Sequence, residues 1–227
     1  MLYIVAILVI IYLIFSVVSV FNSSERLEKL YNKYMGISNA KGMSGKDIAF
    51  LARKMFDLDV KIARRKGKLT DGYSVKAKVV IMSADVSDSA SIASAGIVAH
   101  EIGHAVQHKN RTFLFGMCTA LRKFNNIFCR FAIPLIVIGA ILHFFTTYTS
   151  LGGGLIIVAL ILFFLNILEN LLEIPLEQNA SAIGFEFLKD CDIIDKKDYK
   201  KVKRLLSVAS KTYIADFFRQ LIPIRRK

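Results

Sequence analysis

The sequence predicts a mostly α-helical, integral-membrane fold with one small β-sheet, and three observations predict it. Hydrophobic residues make up 54% of the 227-residue chain, a high share for a soluble protein. The charges are segregated: none of the 31 Lys and Arg lies within residues 1–21 or 131–172. Apolar residues alternate with period two only between about residues 60 and 82, and helical spacing dominates elsewhere.

The first element is an uncharged apolar run over residues 2–20, long enough to cross a bilayer. It lacks the basic start and the small-x-small site of a cleaved leader, so residues 1–21 read as an anchor with its N-terminus outside. Residues 22–42 carry Glu25, Arg26, Glu28, Lys29 and Lys33 and read as a polar juxtamembrane segment. Ser44-Gly45-Lys46-Asp47 then resembles a helix cap, and Ile48, Leu51, Ala52 and Met55 follow at helical spacing. From Leu58 the period changes. Val60 and Ile62 alternate with charged neighbours, Lys66-Gly67 and Asp71-Gly72 are turn signals, and residues 75–82 read as a strand. A small sheet therefore precedes the next helix, and an edge strand of such a sheet could hold an extended peptide or simply complete the core.

Residues 112–130 look helical and increasingly apolar. No Asp, Glu, Lys or Arg occurs in residues 131–168, which are broken near Thr146-Thr147-Tyr148-Thr149-Ser150 and Gly152-Gly153-Gly154. Two helices of roughly 17–19 residues joined by a polar turn fit the shorter end of the spanning range, and a re-entrant hairpin fits the charges equally well. Both return the chain to its basic side. The net charge of +13 is thus the asymmetry of a membrane protein with its basic segments inside, not a nucleic-acid footprint. Four regions follow: the anchor 1–21, a cytoplasmic half 22–130, a transmembrane or re-entrant hairpin 131–172, and a second cytoplasmic half 173–227. In that last half Val202, Leu205, Leu206, Ala209, Tyr213, Phe217 and Leu221 form a stripe suited to packing. Cys118, Cys129 and Cys191 are odd in number and have no CxxC spacing, which suits thiols in a reducing compartment.

Chemistry concentrates in Val98-Ala99-His100-Glu101-Ile102-Gly103-His104-Ala105-Val106-Gln107. Residues four apart share one helix face, so His100 and His104 can offer two imidazole nitrogens to one metal ion. Glu101, one step round, can reach a water at the open coordination position. Zinc accepts neutral imidazole and carboxylate and keeps a site for water, whose pKa it lowers to roughly 7. The small residues of Asp88-Ser89-Ala90-Ser91-Ile92-Ala93-Ser94-Ala95-Gly96 give this helix a capped start and a surface for close packing. His108 lies a further turn along, about 12 Å from His100, too far to share its ion, and reads as a surface or supporting residue. His143, alone in a span, reads as a hydrogen-bonded side chain, and Asp85 and Asp88 read as turn and cap residues. Tyr73 and Tyr213 are candidates to stabilise an oxyanion.

Leu69-Thr70-Asp71-Gly72-Tyr73, Ile81-Met82-Ser83, the stretch from Val98 to His108, Pro175-Leu176-Glu177 with Ala180-Ser181, and Ser207-Val208-Ala209-Ser210-Lys211-Thr212-Tyr213 together resemble the bacterial neutral zinc membrane metallopeptidase family, often called YugP-like. The resemblance covers nearly the whole chain. It implies a zincin-like, gluzincin-type integral-membrane peptidase with one zinc per chain, in the bacterial cell membrane, acting on proteins or peptides. It departs from the family at Asn179, where an acidic residue is usual, and in the loop Asp71-Gly72-Tyr73-Ser74. The expected zinc ligands are His100, His104 and a late Glu, with Glu101 as the catalytic base. Glu177 is the expected third ligand. Pro175 suits the start of a helix and disfavours helix at Ile174, which would leave Glu173 outside the ligand helix. Glu169 sits at the tail of an apolar span, and Glu186 faces nearly the other way from Glu177. A membrane scaffold that only binds metal is the rival reading; the intact Glu101 favours the enzyme. The bilayer is an expected partner, nucleic acid is not, and self-association is left open.

Overall fold

The computed structural model describes residues 25–68 and 70–209. The anchor expected over residues 2–20 lies outside the described residues, as do Tyr213, Phe217 and Leu221. The described chain is mostly helical with one three-stranded sheet, as the sequence predicts.

Helix α1 covers residues 25–35. It is more than a polar juxtamembrane segment, because Leu30, Tyr31 and Tyr34 share one face and are buried in the main core. Helix α2 (Gly45–Met55) starts with a reciprocal cap: the Ser44 hydroxyl accepts from the Asp47 N–H, and the Asp47 carboxylate accepts from the Ser44 N–H. It buries Ile48, Ala49 and Ala52 on the core side.

Strands β1 (Lys61–Arg65), β2 (Gly72–Ser74) and β3 (Val79–Ser83) form a sheet in the order β1-β3-β2. β1 pairs parallel to β3 with Lys61 opposite Val79, and β2 pairs antiparallel with Tyr73 opposite Val80. The strand expected over residues 75–82 therefore begins only at Val79, and residues 75–78 form a turn. The Ser74 hydroxyl accepts from the Ala77 N–H at 3.3 Å, Lys78 takes φ 50°, and the chain reverses so that β2 can lie beside β3.

A short helix α3 (Ala84–Asp88) leads to α4 (Ile92–Lys109). Asp88 is not the cap of α4; it ends α3 and pairs with Arg64 at 2.7 Å on the surface. Ser91 caps α4, its hydroxyl accepting from the Ser94 N–H at 3.0 Å. Within α4 every residue except His104, His108 and Lys109 is buried. That is why its pattern is small and apolar all round rather than two-faced.

Helix α5 (Phe113–Phe128) meets α6 (Ala132–Phe145) at a bend of 49° through one 3₁₀ turn. α6 has 14 residues, fewer than the expected 17–19, because the chain around Phe131 is spent on that turn. Helix α7 (Thr149–Asp190) then runs for 42 residues without a break. This corrects the expected helix start at Pro175. A proline inside a helix costs about 3 kcal/mol in isolation. Here both flanks are fixed by tertiary contacts, with Glu169 and Glu173 held by Arg122 of α5 on one side and the Ala180–Gly184 turn seated on α4 on the other. A last described helix, α8 (residues 199–209), buries Val202, Leu205, Leu206 and Ala209, so the expected stripe packs as far as it is described.

Two glycines set the distance between α4 and α7. A Cβ on Gly103 would run into the Ala180 carbonyl oxygen, and one on Gly184 would run into that of Ala99. The two helices touch backbone to backbone, and a carboxylate on α7 can reach side chains on α4. Among the described residues α7 is long and apolar enough to cross a membrane, as is the bent α5–α6 pair if it counts as one span. Ile133, Val137, Ile141 and Phe144 of α6 and Leu151, Ile157, Ile161 and Phe164 of α7 are all exposed, an apolar surface of the kind that faces lipid.

Candidate metal centre

His100 and His104 stand one turn apart on α4, with ring centroids 4.7 Å apart. Glu177 comes to them from α7. His100 Nε2 lies 3.1 Å from Glu177 Oε2, and His104 Nε2 lies 3.3 Å from Glu177 Oε1. One ligand atom from each residue falls within 4.8 Å of the others. Ligands about 2.0–2.1 Å from a tetrahedral zinc are themselves separated by roughly 3.3 Å, so this donor set has the size and chemistry of a zinc site. The His100 side chain is 2% exposed and that of Glu177 5%, which shields the centre from bulk water.

The outer ring nitrogens are also engaged. Ser181 Oγ, one turn after Glu177 on α7, lies 3.0 Å from His100 Nδ1. Gln107 Oε1 lies 3.0 Å from His104 Nδ1. Burial by itself would lower the His104 pKa, but the Glu177 carboxylate raises it to about 9 in the metal-free protein.

Glu101 is buried on the same helix, 2% exposed, and its charge reaches His104. Asp71 is a second acid near it. Burial pushes the Asp71 carboxyl up to about 6 despite hydrogen bonds from the Ser83 N–H and hydroxyl, and the Glu101 charge adds to the rise. Read in the sequence as a turn signal and as part of the resemblance, Asp71 also ties the start of β2 to the end of β3.

The other glutamates of α7 are occupied elsewhere. Glu173 lies inside α7, not outside it as expected, but its carboxylate is held by Arg122. Glu169 faces Arg122 Nε at 3.7 Å and accepts from the Asn125 amide. Glu186 pairs with Lys189 at 2.7 Å on the surface. His108 is joined to the Tyr73 hydroxyl at 2.7 Å and stacks on Phe115, outside the metal cluster. His143 donates through Nδ1 to the Thr149 carbonyl at 2.9 Å. A cavity of about 390 Å³ opens beside Glu177 and Ser181, walled in part by Ile174, Ala182, Phe185 and Leu206.

Gln107 is the residue that motif reading passed over. A signal was present: it is a polar side chain three residues after His104, hence on the same helix face.

The family model described as "Putative neutral zinc metallopeptidase" matches residues 7–226. The chain is 28% identical over 196 residues to a Bacillus subtilis (strain 168) protein named "Putative membrane protease YugP", across 84% of this chain and 81% of that one. No solved structure matches the chain.

Proposed function

The chain belongs to the neutral zinc metallopeptidase family, and from that premise we propose that it is a membrane-embedded zinc endopeptidase cutting membrane or membrane-proximal proteins at the cytoplasmic face. The convergence of the Glu177 carboxylate from α7 with His100 Nε2 and His104 Nε2 of α4 within 4.8 Å, beside a buried Glu101 on α4, carries the reading. In it His100, His104 and Glu177 hold the ion and Glu101 is the catalytic base. Zinc bound there supplies Lewis acidity and lowers the pKa of water from about 15.7 to roughly 7.

The protein's own groups do the rest. Glu101 takes the proton of the attacking water on its carboxylate and delivers it to the departing amine nitrogen, so one acid serves both halves of the reaction. Its burial in α4 keeps that carboxylate fixed beside the ligands. The edge strand β2 lies against the sheet at the side where Tyr73 touches His108 of α4, a place for an extended peptide to pair by its main chain. The cavity beside Glu177 offers room for a substrate side chain.

The membrane assignment rests on α7. Its charge-free part, residues 149–168, is about 30 Å long, and Glu177 follows only about 13 Å farther along the same helix. A site so placed meets substrate close to the bilayer surface. Purified protein is expected to carry one zinc per chain and to hydrolyse a casein-type substrate; chelation should abolish the activity and added zinc restore it. Hydrolysis indifferent to chelation would overturn the reading.

Topology has a separate test. Lys66 and Lys197 are exposed in the two halves assigned to the cytoplasm. Thiols introduced as Lys66→Cys and Lys197→Cys should resist impermeant external reagents in intact cells and react after lysis. Labelling in intact cells would reverse the assigned orientation.

A further inference from the structure

We infer that Gln107 is a positioning residue for the metal centre: its buried amide selects the ring tautomer of His104 and fastens α4 to the turn of α7 that carries Glu177. The inference rests on the zinc reading above and adds a residue to it. Gln107 is 1% exposed, so its amide has no bulk water to fall back on. Its Nε2 donates to the Leu176 carbonyl at 2.8 Å and to Asn179 Oδ1 at 2.9 Å. These partners sit one residue before and two residues after Glu177.

The orientation of the amide follows from chemistry. A main-chain carbonyl can only accept, so the end of Gln107 that faces Leu176 must be the NH₂ group. The opposite end is then a carbonyl oxygen, 3.0 Å from His104 Nδ1. That oxygen can only accept as well, so His104 must carry hydrogen on Nδ1 and is left with Nε2 as its metal-binding atom. Nε2 is the nitrogen that faces Glu177.

His100 is held differently. Its Nδ1 contacts the Ser181 hydroxyl, which can donate or accept and so imposes no tautomer. His104 has its outer nitrogen set against a one-way acceptor. The same amide that sets it also spans the gap between the two ligand-bearing helices.

The test compares wild type with Gln107→Met, which keeps the length of the side chain and removes both the acceptor and the donor. Zinc dissociation constants are measured by competition with a chromogenic chelator, and the ring nitrogens of His104 are followed by ¹⁵N NMR in the zinc-loaded wild type. Removing an outer partner of a ligand weakens metal binding by about 10- to 100-fold, and a loss in that range is expected for Gln107→Met. The wild-type spectrum is expected to show His104 protonated on Nδ1 and metallated on Nε2, a readout that stands even if the variant fails to fold.

Ser181→Ala serves as the contrast and should shift the constant less. A Gln107→Met constant equal to that of wild type, or zinc on Nδ1 of His104, would overturn the role of Gln107 while leaving the zinc peptidase reading in place. Wild-type protein that takes up no zinc would overturn both.

Discussion

Glu101→Gln should keep one zinc per chain and lose peptide-bond hydrolysis by about 10²- to 10⁴-fold, the range that a positioned general base contributes. The substitution is close to isosteric, so α4 has no reason to repack around it. Glutamine also keeps the hydrogen-bonding capacity of the side chain while removing its ability to take a proton. Glu101 follows a ligand by one residue and is turned about 100° from it on the helix, so its side chain need not enter the cluster of His100, His104 and Glu177. Zinc content measured beside casein-type hydrolysis separates the two roles. Full zinc with lost activity fits a base that is not a ligand. Loss of zinc would make Glu101 part of the metal centre, and full zinc with near-normal turnover would remove it from the chemistry.

The parts of this centre differ in how far the sequence discloses them, and locality is the reason. His100 and His104 are legible because four residues on a helix are one turn, a spacing that needs no tertiary information. The Ser44–Asp47 cap is legible for the same reason. What the chain hides are features decided by a neighbour distant in sequence. Pro175 looks like a helix start until Arg122 and α4 hold both of its flanks. Residues 22–42 look like a polar connector because the two tyrosines and one leucine that α1 buries are scattered among charges. The strand expected over residues 75–82 starts four residues late because a tight turn takes Ser74–Lys78. Gln107 lies within the legible stretch but takes no role there, because its partners Leu176 and Asn179 are some seventy positions away.

Glu177→Ala and Glu173→Ala, compared side by side, should part company on zinc. Both residues lie on α7, four positions apart and therefore on the same face, and both are buried, so helix geometry alone does not choose between them. Their partners do. Glu177 puts one oxygen 3.1 Å from His100 Nε2 and the other 3.3 Å from His104 Nε2. Glu173 is turned to Arg122. Removing Glu177 takes away one of the three proposed ligand side chains, so zinc binding should fall by more than the roughly 10- to 100-fold expected for an outer partner. The protein should purify without stoichiometric metal. Removing Glu173 leaves Arg122 with Glu169 at 3.7 Å, and zinc should remain at one per chain. The cost there is in stability. A fully buried pair broken on one side loses roughly 3–5 kcal/mol, but the Arg122 side chain is 48% exposed, so the loss should be smaller. Zinc analysis with thermal unfolding of both variants reads the two outcomes independently. Full occupancy in Glu177→Ala together with empty Glu173→Ala would move the third ligand one turn toward the membrane and dissolve the site drawn above.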